Sequence, residues 1–162
     1  MLRTPYSRRM RVTVVGLGPG PTDWVTPAVH ARLRMAGAKV FVRTRQFPNL
    51  GHLLAGVTWE SFDDLYDQAA SLNDVHAAMA ERLLGAGQDV VLAVPGDGTL
   101  GEAVLDRLRA AGAQVEVVPG IPVGVAALGA AGLTSVDGVQ VVEATALGGS
   151  GLDLTIELNP RW

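Results

Sequence analysis

Residues 89–101 read DVVLAVPGDGTLG, an apolar strand that runs directly into a Pro-Gly-Asp-Gly turn. Thr99 and Glu102 have the spacing of a capping box, which predicts that a helix begins there and continues to about Ala111. A small glycine-rich loop is therefore expected at the carboxyl end of a buried strand. This is the place where α/β sheets bind ligands, because backbone amides and helix N-termini converge there.

The same pattern occurs twice more. The apolar segment Val12–Val15 precedes the glycine-rich loop Gly16–Gly20, and Val115–Val118 precedes Pro119–Pro122. Three such loops after three apolar strands predict that the strands are parallel and that the loops share one crevice. The glycines that we expect at this common edge are Gly18, Gly96 and Gly120.

Predicted strands and helices alternate along the chain. Thr26 followed by Pro27 is typical of a helix start, and Asp74 is a candidate N-cap for a helix that continues through Leu84. The alternation predicts an α/β fold, with a mainly parallel sheet and helices on both faces. The other predicted elements are strands over Ala38–Val42 and Val139–Val142, a short edge strand over Val57–Glu60, a short helix near Leu50–Leu54 and an apolar helix over Pro122–Ala131.

The composition is that of a folded domain. The 162 residues are 48% hydrophobic and 18% charged, and the absence of cysteine excludes disulfides, thiolate metal sites and cysteine nucleophiles. No apolar run reaches the length of about 18 residues that a membrane-spanning helix needs, and Met1–Met10 lacks the apolar core of a secretory signal. We therefore expect a cytoplasmic protein that does not enter a membrane.

The distribution of charge argues against a nucleic-acid partner. The net charge is −3 although several arginines cluster near the N-terminus, so the remainder of the chain is more acidic than the whole. An acidic body does not match the basic surface that nucleic acids require. The basic head is expected to be a flexible tail, because chain termini are seldom ordered unless they are held by other elements.

The C-terminal residues do not complete the pattern. Leu147–Gly151 reads as a linker, and Leu152–Leu158 alternates like a strand that has no predicted partner. We therefore expect a piece of a longer protein, and apolar surface near Leu152–Trp162 would favour a homodimer. The expected divisions are a flexible head (1–10), an α/β domain (11–143) and a linker with the start of a second domain (144–162).

Several motifs are ambiguous from the residues alone. Gly16–Gly20 does not match the dinucleotide fingerprint, because its third glycine comes one position early and Arg43, not an acid, follows the second strand. Asp97 is either a turn residue or a partner for a ligand, since Thr99 suits the capping role. The histidines and serines lack the spacing of a metal site or a nucleophile elbow, so no metal is predicted. The carboxylates expected to form a solvated face are Asp63, Asp64 and Asp67.

Taken in order, the three loops resemble those of tetrapyrrole (corrin/porphyrin) methylases. Gly16–Thr26 is similar to the opening loop of that family, Pro95–Gly98 to its Gly-Asp-Pro loop, and Pro119–Pro122 to its Pro-Gly-Ile/Val-Ser/Thr loop. Order and spacing agree across about residues 11–143. Val40–Thr44 and the region of Tyr66 look closest to the branch that is fused to a MazG-type nucleotide pyrophosphohydrolase.

This resemblance implies that S-adenosylmethionine (SAM) binds in a cleft between two α/β domains, of which the present chain is the N-terminal one. It implies a methyltransferase that acts on a small-molecule acceptor, and residues 1–162 alone are expected to be inactive because half of the cleft is missing. It identifies no catalytic residue. The cofactor contacts carried over from the family are Leu17, Pro19, Gly96, Asp97, Leu100, Pro122 and Val123.

Two alternatives stay open at this point. The first is a non-catalytic SAM-binding or scaffolding domain attached to a MazG-type hydrolase. It is favoured by Gly98 and Pro122, which replace a proline and a hydroxyl residue of the family. The second is a nicotinamide dinucleotide enzyme, in which Arg43 and Arg45 would meet a 2′-phosphate.

Overall fold

The computed structural model describes residues 9–35, 37–99, 102–134, 136 and 138–139. The chain divides into two compact units, with the boundary between Pro122 and Val123. The first unit contains a five-stranded sheet. Its strands are β1 (Arg11–Gly16), β2 (Lys39–Val42), β3 (Trp59–Ser61), β4 (Val90–Val94) and β5 (Gln114–Val118), and its helices are α1 (Pro27–Leu33), α2 (Leu50–Leu53), α3 (Asp63–Gln68), α4 (Leu72–Leu84) and α5 (Val104–Ala110).

The sheet has the strand order β3-β2-β4-β1-β5, and all of its pairings are parallel. This confirms the predicted α/β fold and places β3 at an edge. β1 lies between β4 and β5, with Val12 opposite both Val90 and Val115. The carboxyl ends of these three strands therefore reach the same edge of the sheet, as the glycine-bearing loops predicted.

Helices cover both faces of the sheet. On one face, Val14 and Leu92 share a buried cluster with Met79 of α4 and with the buried side chains of α5. On the other face, Val15 packs in a second cluster with Val29 of α1. The helices that follow β1 and β4 thus lie on opposite faces, although the two strands are neighbours. Such a switch point opens a crevice at the carboxyl ends of the strands.

The predicted start of α1 is confirmed, whereas that of α4 is wrong. The Thr26 hydroxyl accepts a hydrogen bond from the Val29 amide over 3.3 Å, and Pro27 occupies the first helical position. α4 begins before Asp74, because Ser71 caps it by accepting from the Asp74 amide over 3.2 Å. The Asp74 carboxylate accepts from the Ser71 hydroxyl over 2.7 Å, so the pair forms a reciprocal cap.

The predicted capping box at the start of α5 is also wrong. α5 begins at Val104, and Ala103 precedes it without a side-chain cap. The amide and hydroxyl of Thr99 both donate to the Asp97 carboxylate, over 2.8 and 3.0 Å. Glu102 instead accepts from Arg43, which lies on another strand connection. A local turn therefore uses the Thr99 side chain, and a tertiary contact uses the Glu102 side chain, so neither caps the helix.

Helix α3 has only six residues, too few for a helical pattern to be recognised in the sequence. Two of its three carboxylates do not form the predicted solvated face. Asp64 accepts from both terminal nitrogens of Arg82, over 2.9 and 2.6 Å, in a bidentate ion pair with α4. Asp63 accepts from residues that follow β2. Asp67 is exposed, as predicted. The acids at the start of this helix are held by basic residues of neighbouring elements.

The second unit begins with α6 (Val123–Ala131), which confirms the predicted apolar helix. The Leu133 amide donates to the Leu128 carbonyl over 2.9 Å after the helix ends. The predicted strand at Val139–Val142 and the C-terminal strand at Leu152–Leu158 lie outside the described residues, apart from Val139 itself. In the part of the chain that the structure describes, no helix has the length and apolar character that crossing a membrane requires.

Candidate functional site

The loops after β1, β4 and β5 meet at the carboxyl edge of the sheet. The Gly18 amide donates to the Gly96 carbonyl over 2.9 Å, and the Gly96 amide donates back over 2.8 Å. The Gly120 amide donates to the Asp97 carbonyl over 3.2 Å, which joins the third loop to the second. The predicted convergence of the three loops is therefore confirmed, and it is made by backbone groups.

Two glycines are required for this close approach. A Cβ atom at Gly16 would lie 2.5 Å from the carbonyl carbon of Asp97, and one at Gly120 would lie 2.5 Å from the carbonyl oxygen of Gly96. Both distances are far inside van der Waals contact, and the atoms that would have to move belong to the backbone. Where the loops cross, main chain consequently packs against main chain, and only glycine permits this approach at the two positions.

The first loop presents its main chain and a proline, not the Leu17 side chain. Leu17 is only 1% exposed and packs in the cluster that contains Val29, while its amide donates to the Val94 carbonyl over 2.8 Å. Pro19 is half-buried. A 3₁₀ turn at Thr22–Trp24 then leads to α1. A ligand contact at Leu17 would have to use its backbone.

Asp97 shapes the turn after β4. Its carboxylate accepts from the amide and the hydroxyl of Thr99, and its own carbonyl accepts from the Gly120 amide. The residue is half-buried. This is the turn role that the sequence left open. The turn role is therefore confirmed, and the ligand role stays a prediction.

The remaining predicted contacts have different positions. Gly96 is buried, and both of its main-chain polar groups take part in the bridge to Gly18. Pro122 is half-buried and ends the first unit, whereas Val123 is 53% exposed and begins α6 of the second unit. Leu100 lies outside the described residues. The structure thus brings the residues of the three loops in the first unit together at one edge.

A polar cluster that sequence reasoning missed lies at the same edge, after β2. The Arg43 guanidinium donates from Nε to the Tyr66 hydroxyl over 2.9 Å and from Nη1 to Glu102 Oε1 over 2.5 Å. Its Nη2 lies 3.4 Å from Nε2 of His76. The Glu102 side chain is 4% exposed and that of Arg43 is 20% exposed. We call these four residues the Arg43 cluster.

Arg43 carries its positive charge firmly in this cluster. Burial acts to lower the pKa of Arg43, but the negative charge of Glu102 and the hydroxyl of Tyr66 outweigh burial, so the pKa is raised above its ordinary value. Arg43 is therefore positively charged where it contacts the Glu102 carboxyl group. Arg43 follows β2 and Glu102 follows β4. Because these strands are parallel neighbours, a correct prediction of their pairing would have placed both residues at the same edge of the sheet.

A second set of contacts joins the segments that follow β2 and β3. Asp63 accepts from the Thr44 hydroxyl over 2.7 Å and from the Arg45 amide over 3.0 Å, and it forms an ion pair with the Arg45 side chain. Partial burial raises the pKa of Asp63, but hydrogen bonds from Thr44, Ser61 and Arg45 lower it well below its usual range. Asp63 is thus ionised wherever the protein is folded at ordinary pH.

Metal-ligating residues are scattered. Among the described residues, no group of three or more His, Cys, Asp or Glu side chains could hold a metal ion. His30 lies beside Arg34, with 3.0 Å between its Nδ1 and the Arg34 Nη1 atom. In the described part of the chain, the candidate functional sites are therefore the crevice between the three loops and the Arg43 cluster.

Comparison with known proteins gives a consistent result. The family model of the Tetrapyrrole (Corrin/Porphyrin) Methylases matches residues 11–157. An uncharacterized protein of Bacillus subtilis (strain 168), YabN, is 30% identical over 151 residues, which are 89% of this chain and 31% of that protein. The chain therefore spans about a third of this curated relative.

Solved structures share the fold. A uroporphyrin-III-C-methyltransferase from Thermus thermophilus is 26% identical, with a TM-score of 0.58 over 78% of this chain and 55% of that chain. A structure of the Thermus thermophilus uroporphyrin-III C-methyl transferase complexed with S-adenyl homocysteine is 25% identical, with a TM-score of 0.50 over 76% of this chain and 49% of that chain. The present chain thus spans about half of these structures. Because the family model covers most of its length, the chain belongs to the tetrapyrrole (corrin/porphyrin) methylase family.

Proposed function

We propose that this chain is the N-terminal, SAM-binding domain of a methyltransferase of the tetrapyrrole methylase type. The single observation that carries the proposal is the meeting of three glycine-bearing loops at the switch point between β1 and β4. This is the place in an open α/β sheet where ligands bind. A relative of the same fold was solved with S-adenyl homocysteine, the product that methyl transfer leaves from SAM.

The residues at the crevice fit such a cofactor. At Gly16 and Gly120 the main chain of one loop packs directly against the main chain of the others, so the three loops are held close together where the cofactor would bind. Asp97 offers carboxylate oxygens that would accept hydrogen bonds from hydroxyl or ammonium groups. Pro19 adds a half-buried ring beside these polar groups. The proposed contacts are Leu17 through its backbone, Pro19, Gly96, Asp97, Leu100, Pro122 and Val123.

The chemistry of methyl transfer makes modest demands on the protein. SAM, when bound, supplies a methyl group that its sulfonium already activates. The protein therefore contributes mainly by holding donor and acceptor in line. Asp97 would orient the cofactor by accepting hydrogen bonds, while its own position is fixed by Thr99 and Gly120. This division of work explains why no acid–base constellation is needed beside the crevice.

We propose further that a second domain completes the cleft. This is supported by the fraction of the solved relatives that the chain spans, 49–55%. Residues 1–162 alone would then bind SAM weakly, because polar groups around the ligand would stay exposed to water where the second domain is missing. In this proposal the complete protein is a cytoplasmic homodimer that acts on a small-molecule acceptor, and residues 144–162 lead into the second domain.

A second candidate is a non-catalytic SAM-binding or scaffolding domain attached to a MazG-type nucleotide pyrophosphohydrolase. One observation favours it. Gly98, which stands where the family has a proline, has a φ of +87°. Proline is restricted to a φ of about −65°, so the loop that carries Asp97 has a backbone that proline could not adopt. The change alters the proposed cofactor loop itself.

The nicotinamide dinucleotide alternative is disfavoured. It needs Arg43 and Arg45 to meet a 2′-phosphate, but both arginines are paired with carboxylates. Arg43 contacts Glu102 and Arg45 contacts Asp63. A phosphate would have to displace these acids, one of which is buried.

Calorimetric titration of the full-length protein tests the proposal. We expect saturable binding of SAM and of S-adenosylhomocysteine, and no heat of binding with NADP⁺ at the same concentrations. Binding of NADP⁺ in place of SAM would overturn the proposal in favour of a dinucleotide enzyme. If neither ligand binds, the proposed SAM-binding role is refuted, and only the similarity of fold to the methylases is kept.

A further inference from the structure

The Arg43 cluster joins four elements of the first unit. The Arg43 amide donates to the Ala93 carbonyl of β4 over 2.9 Å, which fixes the backbone at the end of β2. Its side chain then reaches Tyr66 on α3, His76 on α4 and Glu102 before α5. The Arg43 side chain thereby joins the end of β2 to α3, to α4 and to Glu102.

Glu102 defines one end of the segment between β4 and α5. The other end is held at Asp97, which contacts Thr99 and, through its carbonyl, the Gly120 amide of the third loop. Among the described residues, the Glu102 amide donates to the Thr99 carbonyl over 3.5 Å, so the turn of Asp97 and Thr99 is attached toward β5 through Gly120 and toward β2 through Glu102. These two attachments determine where the proposed cofactor loop lies across the edge of the sheet.

The Arg43–Glu102 pair has the properties of a device that fixes geometry. The Glu102 side chain is 4% exposed, so its charge is stabilised only while a partner of opposite charge is present. Buried ion pairs contribute little net stability compared with apolar side chains of similar size, whereas removing one partner leaves an uncompensated charge. Apolar side chains of similar size would fill the same volume, but they would not fix the position of Glu102 through directional hydrogen bonds.

We infer that Arg43 and Glu102 are positioning residues for SAM binding: their buried ion pair holds the segment that carries Asp97 in the place where the cofactor meets it. The inference rests on the proposed function. It adds residues that lie outside the three glycine-bearing loops. Neither residue is required to touch the cofactor, because both act through the segment between β4 and α5.

The chain supplies a matched control. Arg82 and Asp64 form a bidentate ion pair, over 2.9 and 2.6 Å, that joins α3 to α4. It shares the helices that the Arg43 cluster uses, and its hydrogen bonds join these two helices to each other, not to the described residues that follow β4. Arg82→Gln therefore removes an ion pair from the same part of the fold while the attachment of Glu102 is kept.

The experiment uses the full-length protein with Arg43→Gln, Glu102→Gln, the double variant and Arg82→Gln. Calorimetry measures the dissociation constant for SAM, and hydrogen exchange measures opening at the Thr99 amide. We expect each single change in the pair to weaken SAM binding about tenfold, and the double variant to be no weaker than the worse single variant, because residues in contact are coupled. The Thr99 amide should exchange faster in these variants than in wild type. In Arg82→Gln, both the exchange rate of the Thr99 amide and the affinity for SAM should equal those of wild type.

Equal SAM affinity in all variants would overturn the inference, as would an equal loss in Arg82→Gln. Glu102→Gln keeps the size of the side chain, so it decides the result if Arg43→Gln does not fold. Failure of both to fold, while Arg82→Gln folds, would show that the pair serves stability and would also overturn it. If the wild-type protein does not bind SAM, the proposed function fails separately. Exchange at the Thr99 amide would then decide only whether the pair holds the turn of Asp97: faster exchange in the pair variants alone would show that it does, and equal exchange would refute it.

Discussion

The two edges of the sheet differ in what they offer a ligand. At the amino edge, Met10, Met35 and Gln88 help to line an open groove of about 580 Å³. Its acid, Asp89, accepts from the Arg11 amide and so supports the start of β1. At the carboxyl edge, three loops are bonded to each other through backbone, and charged side chains of distant segments converge.

This comparison shows that empty volume alone does not identify a binding site. The groove at the amino edge lies beside the starts of β1, β2 and β4, whereas a crevice is expected at the carboxyl edge because the helices after β1 and β4 lie on opposite faces. In the described part of the chain, the carboxyl edge combines main-chain groups, an acid and a buried ion pair. The account therefore predicts different responses to substitution at the two edges.

The largest difference is expected for glycine substitutions. Gly120→Ala places a Cβ atom against backbone of two other loops, and we expect it to lower the free energy of unfolding by about 3 kcal/mol. Gly37→Ala at the amino edge has open space around it, so only its left-handed backbone conformation, with a φ of +83°, is unfavourable. That cost is about 1 kcal/mol. Urea denaturation of the two variants measures the difference, and equal losses would show that the loops are not tightly packed.

Asp97 tests the ligand role of the carboxyl edge. If it accepts a hydrogen bond from the cofactor, Asp97→Asn should weaken SAM binding in the full-length protein by about 1.5–3 kcal/mol. Stability should change much less, because asparagine suits the same turns. Unchanged affinity in calorimetry would restrict Asp97 to the turn that it forms with Thr99 and would strengthen the scaffold candidate.

Asp63 provides a pH-dependent test at the carboxyl edge. Its folded pKa lies below its unfolded value, so it stabilises the protein at neutral pH and loses this contribution as the pH falls below about 4. Asp63→Asn should cost about 1–2 kcal/mol at pH 7, and the difference from wild type should shrink toward acid pH. Denaturation at several pH values checks this. Asp67→Asn, on the exposed side of the same helix, is the control and should change little.

The smallest effect is expected at the amino edge. Met35 is 38% exposed and lines the groove there. Met35→Ala should leave the affinity of the full-length protein for SAM within about twofold of wild type, because distant sites act independently. A large loss of affinity in the same titration would mean that the groove at the amino edge takes part in binding.

Features encoded by neighbouring residues could be predicted from the sequence. The buried strands, the cap at Thr26 and the three glycine-bearing loops all follow from local spacing, and the parallel sheet follows from their alternation. The cofactor contacts themselves are still a prediction, because Leu100 lies outside the described residues and Pro122 and Val123 fall on either side of a unit boundary.

Features that depend on distant residues could not be predicted. Glu102 has good spacing for a helix cap, yet it pairs with Arg43, which is 59 residues away in sequence. A buried carboxylate gains more from a charged partner than from a backbone amide at an exposed helix end. Asp63 and Asp64 were likewise expected on a solvated face, because nothing near them in sequence indicates the arginines they contact.

A crystal structure of the full-length protein with S-adenosylhomocysteine tests the central claim most directly. The account predicts that the ligand lies in the crevice at the carboxyl edge, in contact with the main chain of the loops after β1, β4 and β5 and with the Asp97 carboxylate. A ligand bound in the groove at the amino edge beside Met35, or one that contacts none of the three loops, would contradict it.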